Sequence, residues 1–266
     1  MQHRKTRYAL YALGTVLSLT TSLLTTATAA SPAPTTTLAQ AKPASATTAK
    51  SMSSEAAVQR NWGSVVWRDE FSYTGRPQPT KWRLYDGEGH AGHGHRRSSA
   101  WKVSGGSAIV TGSSGRVTGG MSARFGQKYG RWETRMKTNS RDHNYHPVLL
   151  LWPDRPTPST CPEVDFAESS KDTTRVRFFL HYGCAPKQTR GSKAVDMTRW
   201  HNYAVEWTPD RISGYVDGVR FFTDSNKSHL PKGSMHQTLQ LDLFPDGSSL
   251  KKSTMSIDWV RVYKLK

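Results

Sequence analysis

Acidic side chains are scarce. The 266 residues hold 20 Asp and Glu against 37 Lys and Arg, a formal net charge of +17. That balance either attracts polyanions, such as nucleic acid, sulfated or uronic glycans or an acidic cell wall, or serves only solubility. Cysteine is almost absent, with two in the chain, too few for a cysteine-rich metal module. No apolar run is long and clean enough to make this a membrane-embedded protein. Amphipathic helical periodicity is hard to find after Trp62, and no repeat period is visible, which argues against helical bundles and solenoids. No nucleic-acid reading motif accompanies the positive charge.

The first 29 residues read as a secretory signal. Arg4, Lys5 and Arg7 precede the mostly apolar stretch 8–24, and Ala27-Thr28-Ala29 offers small residues for cleavage. Export is the expectation, with no membrane attachment once the signal is removed, and the net charge falls by three to +14. Residues 30–58 are Ala, Thr, Ser and Pro with hardly a large side chain. Such a segment buries too little apolar area to offset its ordering entropy, so it reads as a flexible tether. All nine Trp lie after residue 61, and 59–266 is the expected folded domain, a monomer. In an exported chain Cys161 and Cys184 are expected to pair as a disulfide.

Within 59–266 the pattern is of short strands broken by Gly, Pro and Asp, at Val65 to Trp67, Ala108 to Thr111, Arg131 to Lys137, Pro147 to Trp152, Val164 to Glu168, Arg175 to Tyr182, Tyr203 to Trp207, Leu239 to Phe244 and Ile257 to Tyr263. Asp217-Gly218 marks a hairpin turn, because both positions accept positive φ. The fold class is all-β, a sandwich or barrel. In Leu239 to Phe244 the three leucines point one way and Gln240, Asp242 and Phe244 the other. His146, Val148, Leu150 and Trp152 share a face, as do Arg177, Phe179 and His181. Several strands that each present an aromatic ring or His on the less apolar face predict a groove.

Glu163-Val164-Asp165-Phe166-Ala167-Glu168 concentrates three acids in a basic chain. On a strand Glu163 and Asp165 share a face while Glu168 has the wrong parity, and a one-residue bulge would restore it. Like charges on one face are destabilising unless they serve a function or bind a cation. Retaining hydrolysis of a glycosidic bond needs two carboxyls about 5–5.5 Å apart, whereas a straight strand sets the two Glu Cα atoms at roughly 16 Å, so the motif demands a bent sheet. Asp165 between them would raise a neighbour's pKa and keep one acid protonated. The same oxygens would also suit calcium, and a solvated edge strand is a further reading. His90, His93 and His95 lack acids or Cys alongside and read as a mobile basic loop at the cleft rim rather than a metal site.

Trp67-Arg68-Asp69-Glu70-Phe71, Tyr129-Gly130-Arg131-Trp132-Glu133, the acid motif, His201 to Asp210, Tyr215-Val216-Asp217-Gly218 and Ile257 to Tyr263 occur in order. Together they resemble glycoside hydrolase family 16, the laminarinase and lichenase group. The resemblance implies a jelly-roll sandwich of two curved antiparallel sheets with a concave substrate cleft. It implies Glu163 as nucleophile, Glu168 as acid/base and Asp165 as the assisting acid. Trp152, His181, Asp242 and Phe244 would face the sugar, with His146 and Gln240 behind them. The implied activity is a secreted endo-acting hydrolase of β-1,3- or β-1,3/1,4-glucan, a polysaccharide being the partner. An acidic or sulfated galactan, or lectin-like binding without turnover, is the alternative. No cofactor is implied. A structural calcium near Glu70 and Asp258 is conceivable by analogy with some relatives. The stretch from Leu241 to Gly247 departs from the family pattern, which leaves the fine specificity open. Pairing Cys161 directly opposite Cys184 would set Tyr182 across from Glu163, whereas the apolar alternation sets His181 there, so a diagonal disulfide or a bulge is expected.

Overall fold

A computed structural model describes residues 53–155, 161–184 and 187–265. The signal segment and most of the tether lie outside them. In chain order the elements are α1 (Ala56–Gln59), β1 (Val65–Asp69), β2 (Trp82–Leu84), β3 (Gly87–Glu88), β4 (His95–Arg96), β5 (Trp101–Ser104), β6 (Ser107–Gly112), β7 (Val117–Gln127), β8 (Gly130–Thr138), β9 (Tyr145–Pro153), β10 (Glu163–Glu168), β11 (Arg175–Tyr182), β12 (Lys187–Ala194), β13 (His201–Trp207), β14 (Ile212–Val216), β15 (Val219–Asp224), β16 (Met235–Leu243) and β17 (Ser253–Tyr263).

Two sheets form a jelly-roll sandwich. One runs β15-β14-β13-β8-β17-β6-β5, with β1 against β17; the other runs β12-β11-β10-β9-β16-β7-β4-β3, with β2 against β7. Pairing is antiparallel except for β4, which runs parallel to β7 and so departs from the all-antiparallel expectation. Alternating residues from the two sheets interdigitate, Trp132, Met136, Val205, Val260 and Val262 from one and Leu149, Leu151, Val164, Phe178 and Leu239 from the other, all essentially inaccessible. Gln237 Nε2 donates to Thr134 Oγ1 across the core at 2.6 Å.

The Asp217-Gly218 turn forms as expected, with φ of 51° and 74°. Strand β7 is not legible from alternation, because Gly119 and Gly120 occupy its middle. A Cβ on Gly119 would lie 2.6 Å from Val110, and one on Gly120 2.6 Å from the Tyr85 ring. Strand β12, Lys-Gln-Thr-Arg-Gly-Ser-Lys-Ala, is a polar edge strand and equally silent.

The tether boundary requires correction. Residues 53–58 are packed on the outer face of the β8–β13–β17 sheet, with Ala56 buried and their backbone engaged. The N–H groups of Ala56 and Ala57 donate to Glu133 Oε1 and Oε2 at 2.5 and 3.1 Å, and Trp62 packs edge-on against Tyr215 and Tyr263. Two alanines carry too little side chain to register as core, so composition alone cannot see this contact. Burial pushes the Glu133 carboxyl up to about 7, against the pull of those two N–H donors.

Several motif residues hold the fold together. Buried Asp69 accepts from Trp82 Nε1 at 2.8 Å, Tyr73 Oη at 3.0 Å and the Phe71 N–H at 3.2 Å. Glu70 is clamped by Arg261 through Nε and Nη2 at 2.9 and 3.0 Å, and Asp258 pairs with Arg135 at 3.1 Å. Both acids near which a calcium was conceivable are thus neutralised by arginines. Among the described residues no cluster of three His, Cys, Asp or Glu could hold a metal ion.

Candidate active site

The three acids of β10 converge because the strand is bulged. Against β9, Asp165 pairs with Leu150 but Ala167 with Leu149, leaving Phe166 as the extra residue. Against β11, Asp165 pairs with Phe179 and Glu168 with Arg177, three steps against two. The shift restores the parity of Glu168, so Glu163, Asp165 and Glu168 all line one cleft, while Val164, Phe166 and Ala167 are fully buried in the core. The cleft encloses about 680 Å³ on the outer face of the nine-stranded sheet.

Glu163 lies across from His181. Cys161 and Cys184 form a disulfide with a Cα–Cα distance of 4.7 Å, offset by one residue from that register. Both cysteines adopt positive φ where the offset is absorbed. The diagonal bridge and His181 in the cleft therefore coexist.

Electrostatics set the state of the acids. Asp165 is buried; its Oδ2 lies 3.0 Å from His181 Nε2, and its Oδ1 meets no donor outside the acid pair among the described residues. Glu163 and Asp165 share one face of β10, so each raises the cost of charging the other. Burial pushes Glu163 up to about 9, with the charges of Asp165 and Glu168 adding and His181 opposing. Asp165 is raised well above the usual carboxylate range, first by burial and then by the charge of Glu168. Both carboxyls are thus biased toward the protonated form.

Glu168 faces His146, its Oε1 3.6 Å from a buried Nδ1 that makes no hydrogen bond among the described residues. The His146 ring is stacked on Phe244 with centroids 4.2 Å apart, and Phe244 meets His90 on its other side at 4.7 Å. Phe244 lies one residue beyond β16, where its N–H donates to Asn144 O at 2.8 Å. The predicted strand end is thus one residue too long, although the ring points where expected. Trp152 is 40% exposed over the cleft. Gln240 and Asp242 are buried in its floor, as alternation on β16 predicts.

Arg96 is the site residue that sequence reading missed. Its Nη2 donates to Asp242 Oδ1 at 2.8 Å and to Gln240 Oε1. Burial raises the Asp242 carboxyl, and Arg96 opposes that shift. Arg96 sits on the two-residue β4, too short to show a period; a basic residue inside Gly89 to Arg97 was the available signal. The same stretch is not a mobile loop. His90–Gly92 make a 3-10 turn, β3 pairs with β4, and His90 lines the cleft. Tyr85, on the strand side of that stretch, lines it too.

Arg141 was also missed. It is buried behind the end of β10, donating to the carbonyls of Asp142, Tyr145, Ser169 and Ser170 at 3.1, 2.5, 3.1 and 2.6 Å and to Ser169 Oγ at 2.8 Å. It fixes the backbone just after Glu168.

Comparison with known proteins agrees with this architecture. The chain is 30% identical over 193 residues to a beta-glucanase of Rhodothermus marinus, covering 61% of this chain and 66% of that protein. It is 24% identical over 238 residues to a keratan-sulfate endo-1,4-beta-galactosidase of Sphingobacterium multivorum, covering 76% and 55%. The chain thus spans less than two thirds of these curated relatives. Among solved structures, the laminarinase from Rhodothermus marinus superimposes with a TM-score of 0.68 at 26% identity, over 76% of this chain and 97% of that one. The model of the glycosyl hydrolases family 16 matches residues 93–261. With that match spanning more than half the chain and containing the bulged carboxylate strand, the protein belongs to glycosyl hydrolases family 16.

Proposed function

We propose that the chain is a secreted, endo-acting hydrolase of O-glycosyl bonds in a β-1,3- or β-1,3/1,4-glucan, working by retaining double displacement. The observation that carries this reading is the bulge at Phe166, which sets three acids on one cleft face. Glu163 attacks the anomeric carbon while Glu168 protonates the departing glycosidic oxygen. The C–O bond to the leaving sugar breaks as the bond to Glu163 forms. Water, deprotonated by Glu168, then cleaves that ester and regenerates Glu163. Asp165 keeps its proton during attack, and Glu163 is the anion that reaches the sugar. His181 orients Asp165, and His146 stands beside Glu168.

An open groove crossing several strands suits the interior of a chain rather than its end. Trp152 offers a flat apolar face to a sugar ring, and Asp242 and Gln240, fixed by Arg96, offer acceptors to hydroxyls. Replacing Trp152 with Ala should cost roughly 1–2 kcal/mol of substrate affinity, about a 5–30-fold rise in KM with little change in kcat. Steady-state kinetics on lichenan would measure it, and a pure kcat effect would deny the ring its binding role.

The reaction itself is tested by proton NMR of the first product from laminarin or lichenan. Retention predicts the β-anomer before mutarotation; an initial α-anomer would contradict double displacement. The relatives named beta-glucanase support the glucan reading. Export is supported by the disulfide.

A further inference from the structure

The antiparallel register lines up one row of residues across the nine-stranded sheet, its middle members lining the groove. It runs from Arg83 on β2 through Ser122, Thr238, Leu150 and Asp165 to Phe179 and Arg190 on β12. Arg83 lies between Trp82, in the core, and Leu84, packed against it, so it projects to the groove side, as does cleft-lining Tyr85 two residues on. Arg190 lies two residues after cleft-lining Gln188 and beside Thr189, which turns the other way to bond Asp224 at 2.6 Å. Both arginines are exposed, and neither side chain makes a hydrogen bond or ion pair within the described residues. They differ in this from Arg96, Arg131, Arg135, Arg177 and Arg261, each held by an acid.

The placement is selective. Strand spacing puts Arg190 about 10 Å from the Asp165 position and Arg83 about 19 Å from it on the other side. Anionic groups on a bound chain would be repelled beside Glu163, Asp165 and Glu168 but attracted beside the two arginines, and both effects weaken as salt shortens the Debye length, about 10 Å at 0.1 M. We propose that the groove takes a linear polysaccharide bearing sulfate or carboxylate groups, engaged by Arg83 at one end and Arg190 at the other. The assignment rests on the reading of the chain as an endo-acting hydrolase of O-glycosyl bonds and replaces the neutral glucan with an anionic chain as its substrate. The net charge of +17 then has a local expression at the site.

The test holds the sugar backbone constant. Neutral laminarin, sulfated laminarin and carboxymethyl laminarin are titrated calorimetrically into the E163Q chain at 20 and 300 mM NaCl, alongside reducing-end assays of the native chain. Two exposed ion pairs, each contributing a factor of about three, predict roughly ten-fold tighter binding of an anionic derivative at low salt. That ratio should approach one at 300 mM, and equally in a variant carrying Arg83→Gln and Arg190→Gln, whose surface positions leave the fold intact. Preference for the sulfated or the carboxymethyl form alone supports the proposal and names the group. A ratio near one at low salt overturns it, as does a preference that survives the double substitution. Binding of none of the three also overturns it. Cleavage of neutral laminarin with no charge preference would leave the glucan reading standing and sink this one; charge preference without cleavage of any laminarin would do the reverse.

Discussion

Glu163→Gln should abolish turnover and at the same time make the protein more stable above acidic pH. Loss of the attacking carboxylate removes the covalent step, and a fall of about 10⁴-fold or more in kcat is expected, read as reducing ends from laminarin or lichenan. The stability change follows from where the proton is held. Burial and the Asp165 charge lift the Glu163 carboxyl from 4.5 to about 9 in the fold. Below pH 4.5 folded and unfolded chains both carry that proton, and the substitution gains nothing. Between about 4.5 and 9 the unfolded chain releases it while the folded chain retains it, so native stability declines as pH rises. Glutamine has no charge to desolvate, and its amide N–H can donate to Asp165. Each 1 kcal/mol relieved raises Tm by roughly 2–4 °C in a domain of this size. Thermal unfolding followed at pH 4 and pH 8 should therefore show coincident Tm values at the lower pH and a higher Tm for E163Q at the upper. A gain that is equal at both would deny the raised pKa of Glu163.

Arg141→Ala should produce the largest loss of stability. The guanidinium satisfies four backbone carbonyls and a hydroxyl in a buried position. Its burial lowers the pKa only to about 10, so it is charged throughout the working range. Removing it strands those acceptors, at about 1–3 kcal/mol for each left without water. A loss of about 3 kcal/mol or more is expected, roughly 6–12 °C in Tm, measured by urea unfolding or calorimetry. Activity should fall even at temperatures where the variant is folded, because Ser169 and Ser170 anchor the strand end that aims Glu168. A variant with native Tm and activity would show that solvent takes over the role of the arginine.

How far the chain could be read before folding depended on what each feature rests upon. Alternation on β9, β10, β11 and β16 needs only adjacent residues, so the faces of His146, Trp152, His181, Gln240 and Asp242 were legible, as was the bulge, from the parity of Glu168 against Glu163. The family resemblance was equally local, and the structure shows why its motifs are so recognisable: Asp69, Glu70, Arg131, Glu133 and Asp217 anchor strands and turns. Elements built on little side chain escaped notice. Gly119 and Gly120 hide β7, two alanines hide the segment that docks on Glu133, and β4 is too brief to have a period.

Sequence by itself determined an all-β chain with three acids on one bulged strand, a cysteine pair beside it and a strong excess of positive charge, because period-two patterning and composition are properties of neighbours along the chain. Only the tertiary structure decided that Arg96 holds Asp242 and Gln240, that Arg141 braces the end of β10, and that Arg83 and Arg190 stand on one row with Asp165. Those relations join residues up to 146 positions apart, and register between strands, rather than spacing within one, brings them together.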